Sequence, residues 1–189
     1  MRWLILLMLL IQTAFSAVIF NHNGFGNGYY ISDKLFITNT HIANFLDKYF
    51  YVYENNKNYY TEIEEIYDLG DDISLIKTKQ TLNLPYTPIL PFENQTLLDV
   101  KGYYYYSPFS YPLAYFNIDY NPLTEEKSNN WISWFGVITY GYSGSGVFYK
   151  KYLVGLLSCM DTSNSQAFAT MITKEKYQRI KAYENIQVK

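Results

Sequence analysis

Apolar residues along this chain come in short runs closed off by polar, glycine and proline clusters, a pattern that predicts strands and turns. Ala17–Phe20 is the first run, and the glycine-rich cluster over 21–28 after it predicts a turn. Runs 29–32 and 35–38, separated by Asp33-Lys34, predict a hairpin, with His41 just beyond its second strand. Residues 42–46 predict one helical turn whose apolar side chains form the floor behind His41. Strands are predicted at 49–53 and 59–67, joined by a polar surface turn over 54–58. Asp72 then opens 73–77, where Ile73 and Leu75 alternate with Ser74 as in a strand buried on one face.

Pro85, Pro88 and Pro91 break the pattern over 78–97, predicting an extended connection between a first lobe of about 17–84 and a second of about 98–189. In the second lobe, runs at 100–106, 113–120, 131–138, 147–149, 153–157 and 167–172 predict further strands. Residues 173–184 predict a closing helix with Thr173 as its cap. Short strands at fairly even spacing imply a sandwich or barrel, so the expected class is all-β.

Composition agrees, since 20% of the 189 residues are aromatic, 22 of them tyrosine. The 15 basic and 17 acidic residues give a net charge of -2 with no basic cluster, which argues against nucleic acid as a partner. Arg2, the apolar run 3–11 and the small-residue site Ala14-Phe15-Ser16 read as a secretory signal peptide over 1–16. That run is shorter than the roughly 20 residues a membrane span needs, so no stable membrane insertion is expected after cleavage. An uncleaved N-terminal anchor is the alternative. The mature chain is then expected to be secreted or periplasmic. Cys159 is the single cysteine, so no intrachain disulfide forms, and no metal-ligand motif occurs; no metal or cofactor is expected.

The candidate chemistry lies in Gly141-Tyr142-Ser143-Gly144-Ser145-Gly146, where glycines around two hydroxyls describe a tight turn presenting a serine. A serine nucleophile needs a base and an orienting group, and His41 and Asp72 lie upstream of Ser143. Asp71 competes with Asp72, but the strand pattern begins directly after residue 72. Ser145 competes with Ser143, but only Ser143 has the Gly-x-Ser-Gly setting. His22, in the glycine-rich cluster, reads as a surface residue. Glu62, Glu64 and Glu65 read as a solvated face; a glycosidase pair is disfavoured because adjacent strand positions point apart.

These segments resemble the chymotrypsin-like serine peptidases, in particular the bacterial branch containing glutamyl endopeptidases and Htr/Deg-type proteases. The similar pieces are Gly26-Asn27-Gly28-Tyr29, Leu35-Phe36-Ile37-Thr38-Asn39-Thr40-His41, Asp72-Ile73-Ser74-Leu75-Ile76-Lys77, Gly141-Tyr142-Ser143-Gly144-Ser145 and Leu153-Val154-Gly155-Leu156-Leu157-Ser158. The resemblance implies two six-stranded antiparallel β-barrels with a C-terminal helix, and hydrolysis of peptide bonds through an acyl-enzyme. It implies Ser143 as nucleophile, His41 as base, Asp72 as its orienting acid, and the amides of Gly141 and Ser143 as oxyanion hole. Ser158 would support the triad and begin the edge that pairs with substrate. Counting from Ser143 puts Val137, Ile138 and Thr139 on one wall of the specificity pocket and Leu157, Ser158, Cys159, Met160 and Ala167 on others.

Tyr142 departs from the family's acid or amide, and Gly146 from its common proline. Without an acid at 142, activation by a newly cut N-terminus has no charged partner. The histidine of glutamyl endopeptidases near Leu157 is absent, so cleavage after an apolar residue is expected. The competing reading is an inactive binding protein of the same fold, with Tyr142 as its sequence hint. An α/β-hydrolase is excluded by the order of the residues and by the lack of any histidine after Ser143.

Overall fold

The computed structural model describes residues 17–54, 57–95, 97–106, 109–112, 116–119, 130–135, 141–161, 163 and 165–186. Six strands form a closed barrel: β1 (Ala17–Phe20), β2 (Phe25–Ser32), β3 (Leu35–Thr38), β4 (Tyr49–Glu54), β5 (Lys57–Asp68) and β6 (Ser74–Thr78), in the order β1-β2-β3-β6-β5-β4. A short helix α1 (Thr40–Phe45) follows β3 and carries His41. Alternation drives the closure. In β4, Phe50, Val52 and Glu54 are buried while Tyr49, Tyr51 and Tyr53 lie partly open, so one face fills the barrel. Phe36, Phe50, Ile19, Ile42, Leu46 and Ile76 fill that interior.

The cluster read as a turn over 21–28 is partly strand, because β2 begins at Phe25 and pairs with β1 from Phe20↔Phe25 to Ala17↔Gly28. Its glycines serve close packing. A Cβ at Gly26 would strike Ile42, and one at Gly28 would strike the Phe36 ring. Glu54, placed by sequence in a surface turn, continues the inward alternation of β4 and is 5% exposed.

The second sheet contains β7 (Leu97–Lys101), β10 (Phe116–Asp119), β11 (Trp131–Phe135), β12 (Gly146–Tyr149), β13 (Tyr152–Asp161) and β14 (Gln166–Met171), ordered β10-β7-β12-β13-β14-β11 with antiparallel neighbours. The strand predicted over 100–106 divides at Gly102, and β8 (Tyr103–Tyr106) pairs instead with β9 (Phe109–Pro112). Helix α2 (Lys174–Ile186) closes the described chain, and the Thr173 hydroxyl accepts the Lys176 amide at 3.3 Å, capping it. Residues 79–95 form no strand, and an isolated parallel bridge joins Ile89 to Leu153.

Between the two sheets lies a shared apolar layer. Tyr29, Ile31, Leu35, Ile37 and Leu75 of the barrel meet Phe148, Leu153 and Leu156 of the second sheet, Ile172 just after β14, and Ile180 of α2. Polar grips from α2 reach the same barrel: Lys176 Nζ lies 2.6 Å from Asp71 Oδ2, and Arg179 donates to the Leu69 and Asp68 carbonyls at 3.1 and 2.8 Å. These contacts fix the turn between β5 and β6, which leads into Asp72. Among the described residues no helix is long and apolar enough to cross a membrane.

Candidate active site

Asp72 sits in a turn where Gly70, Asp71 and Asp72 all have positive φ, at 83°, 50° and 58°. The turn directs its backbone and side chain at α1. Its carbonyl accepts the Thr40 amide and the Asn39 side chain, both at 3.1 Å. Its carboxylate accepts the His41 amide at 3.0 Å, and both carboxylate oxygens lie 2.9 Å from His41 Nδ1. With Nδ1–H donating to the acid, Nε2 becomes the basic nitrogen of the ring.

Ser158 donates its hydroxyl to Asp72 Oδ2 from the second sheet. It is aimed by a register shift in the β13–β14 pairing between Leu157 and Cys159, the kind of bulge that turns a side chain out of the strand's alternation. Burial pushes the Asp72 carboxyl up, but the bonds from His41 and Ser158 outweigh burial and hold it below its ordinary value of 3.8. An acid held in this way stays ionised and can orient a histidine.

Ser143 lies on a turn built by Gly141 at φ 94° and Gly144 at φ 80°. A Cβ at Gly144 would strike the Asn27 carbonyl, so both conformation and space require glycine there. The Gly144 amide donates to the Leu157 carbonyl at 2.9 Å, Leu157 to the Ser145 carbonyl at 2.7 Å, and Ser145 to the Tyr142 carbonyl at 2.9 Å. The Ser143 hydroxyl donates to the Ser158 carbonyl at 3.2 Å. Ser143, Ser158, Asp72 and His41 thus form one chain of contacts drawn from both sheets.

The competing residues separate cleanly. Ser145 is fully buried against Gly102, and its hydroxyl has no partner among the described residues. Asp71 is paired with Lys176, and exposed His22 bonds the Tyr49 hydroxyl at 3.2 Å. Glu62 and Glu64 pair with Lys79 and Lys77 across strands, each at 2.6 Å.

The expected pocket residues divide. Ile138 and Thr139, with Val137, lie outside the described residues. Cys159 is exposed; desolvation of its thiol and then the charge of Asp72 push its pKa up. Met160 continues the backbone of β13. Leu157 and Ala167, expected on pocket walls, are 1% and 0% exposed and belong to the second sheet's core with Val147, Val154 and Trp134. No cluster of three or more metal-ligating side chains occurs among the described residues.

Both departures at positions 142 and 146 have a local reason. Tyr142 packs partly buried against the second core. The Gly146 amide donates to the Tyr29 hydroxyl at 2.6 Å, which itself donates to the Lys101 carbonyl at 2.6 Å; proline lacks that N–H. Tyr29 and Asn27, neighbours of this loop from β2, were hidden from the sequence reading. Their one signal is an asparagine, a poor strand former, set between two glycines just before an apolar strand.

No protein-family model matches the chain, and no curated protein sequence is similar to it. Solved structures are similar. A Glu endopeptidase, solved in complex with MPD, superposes with a TM-score of 0.67 at 16% identity, covering 93% of this chain and 92% of that one. The serine protease of a human pathogenic astrovirus gives 0.62 at 16% identity, over 86% of this chain and 91% of that one. An inactivated protease paralogue of the scabies mite gives 0.71 at 14% identity, over 92% and 94%. The closed barrel, the second six-stranded sheet and the C-terminal helix are shared with these chymotrypsin-like proteins, and the chain has the chymotrypsin fold.

Proposed function

We infer that the protein is an exported serine endopeptidase, made with a signal peptide over 1–16, that cleaves peptide bonds through an acyl-enzyme. The observation that carries this reading is the contact chain Ser143–Ser158–Asp72–His41, with Asp72 held ionised against His41 Nδ1. Ser143 Oγ attacks the substrate carbonyl while His41 Nε2 takes its proton. Asp72 stabilises the imidazolium, and the Gly141 and Ser143 amides receive the oxyanion. His41 returns the proton to the leaving amine, and water activated by His41 releases the acyl group. Nothing in these steps calls on a metal.

The Ser143 hydroxyl rests on the Ser158 carbonyl in the free protein. A substrate backbone N–H that pairs with that carbonyl takes over this acceptor, and the hydroxyl turns to His41. Substrate binding and arming of the nucleophile are then one event. The bacterial branch that includes glutamyl endopeptidases is the proposed affiliation, with an apolar side chain preferred before the scissile bond.

The same resting hydroxyl favours a second reading, a protease-fold binding protein without catalysis. Incubation with a peptide library, read by mass spectrometry beside Ser143→Ala, separates the two. Cleavage after apolar residues that vanishes in Ser143→Ala is expected. Cutting mainly after Glu or Arg contradicts the specificity, and no cutting by folded protein favours the binding reading.

A further inference from the structure

We propose that Asn27 is a positioning residue that holds the oxyanion hole in its working shape, replacing any charged latch at position 142. This rests on the endopeptidase reading and adds to it a residue outside the Ser-His-Asp set. Asn27 lies on β2 of the first barrel and is 0% exposed. Its side-chain amide donates to the Gly141 carbonyl at 3.2 Å and the Ser143 carbonyl at 3.4 Å, while its backbone amide donates to the Ser143 carbonyl at 2.9 Å. One NH2 group thus spans two peptides of the serine loop, more than a hundred residues away in sequence.

The geometry explains why that matters. The Ser143 amide belongs to the peptide between residues 142 and 143, which is rigid and places its N–H opposite its carbonyl. The Tyr142 carbonyl of this peptide already accepts the Ser145 amide, so the Ser143 N–H points away from that bond. Asn27 fixes the peptides on either side. Gly141 is the loose joint, because glycine at φ 94° turns to other conformations with little steric penalty. Its carbonyl is the atom that Asn27 grips. Turning Gly141 out of place breaks the shorter of the two bonds this buried side-chain amide makes to the loop, so the barrel itself resists collapse of the hole.

The Asn27 carbonyl is fixed in turn. It accepts the Thr38 hydroxyl at 2.7 Å, and Thr38 is fully buried on β3, the strand that leads into α1 and His41. Asn27 therefore ties the serine loop to the element that presents the histidine. Tyr29, two residues along β2, adds a second grip through the Gly146 amide. No charged partner is needed from the sequence at 142, where the tyrosine packs on the second core.

The test compares wild type with Asn27→Ala, which deletes the donor, and Asn27→Asp, which keeps the shape but sets a carboxylate against two carbonyls. Four quantities are read: kcat and KM on a cleaved peptide, affinity for a peptide boronate whose tetrahedral adduct fills the hole, affinity for a product peptide, and hydrogen exchange of the 141–146 amides. The expected result is a fall in kcat on the order of 10- to 100-fold, short of the roughly 100- to 1000-fold for outright loss of an oxyanion donor. Boronate affinity falls with it, KM and product affinity stay within about twofold, and exchange over 141–146 rises at a temperature where both variants remain folded. The loss is greater in Asn27→Asp.

Unchanged kcat and boronate affinity, or a loss confined to KM, overturns the proposal. So does unchanged exchange over 141–146. Should folded wild type cleave nothing and bind no boronate, the endopeptidase reading fails by itself, and the exchange comparison alone then decides whether Asn27 holds the loop.

Discussion

The ion pair between Lys176 and Asp71 joins partners of very different exposure, and that difference sets an ordered prediction for their removal. The ammonium and carboxylate are 2.6 Å apart, with side chains 6% and 44% exposed. Asp71→Asn leaves the ammonium buried without its counter-charge. Breaking a fully buried pair from one side costs about 3–5 kcal/mol. Here the asparagine oxygen still accepts a hydrogen bond and solvent reaches the carboxylate side, so about 2 kcal/mol is expected. Asparagine also tolerates the φ of 50° at this position, which keeps backbone strain out of the comparison. Lys176→Met leaves instead a half-exposed carboxylate that water can solvate, in a helix that accepts Met as readily as Lys, and costs under about 1 kcal/mol. For a chain of this size about 2–4 °C of Tm corresponds to each kcal/mol, so Asp71→Asn melts about 4–8 °C below wild type and Lys176→Met within about 4 °C. Calorimetric or circular-dichroism melts at neutral pH make the comparison. Lys176→Met melting lower than Asp71→Asn, or Asp71→Asn melting with wild type, refutes the reasoning.

Asp72→Asn lowers kcat by about 10,000-fold, through loss of the His41 tautomer and orientation, as steady-state kinetics reads out. The same variant changes stability with pH. Because the folded Asp72 carboxyl releases its proton below its ordinary value, it contributes stability at neutral pH that is lost as pH falls from about 3.8 through the folded value; urea midpoints of the variant lack that component. Glu54 has the opposite sign: burial raises its pKa, so the folded state holds the proton more tightly and wild type gains stability as pH falls through the folded value. Glu54→Gln therefore melts above wild type at neutral pH, and the difference shrinks on acidification. Cys159 alkylates slowly at neutral pH because desolvation and then Asp72 raise its thiol; Asp72→Asn moves the rate–pH curve to lower pH, followed with a maleimide reporter.

Sequence alone made the candidate site legible where its signals are local. His41, Asp72 and Ser143 each sit beside a short apolar run bounded by turn residues, and glycine at 141 and 144 announces a tight turn. The features that stayed hidden depend on partners distant in sequence. Glycine at 26 and 28 is needed because Ile42 and Phe36 press on the strand, so a segment that looks like a turn is a strand. Glu54 looked like turn composition because nothing local tells a carboxylate that it continues an inward face. The roles of Asn27 and Tyr29 arise from contacts between sheets, whereas Ser158, marked by the resemblance alone, meets Asp72 through a bulge that no periodicity encodes. Leu157 and Ala167 were placed by counting, which gives a position along the strand but not the face; both point into the core.

The central claim is that Ser143 is an activated nucleophile. Mass spectrometry of the folded protein after treatment with a fluorophosphonate tests it most directly, beside Ser143→Ala and His41→Ala. The account predicts one adduct, on Ser143, absent in Ser143→Ala and lost or greatly slowed in His41→Ala. Folded wild type that takes up no label, or labels equally well in His41→Ala, contradicts it.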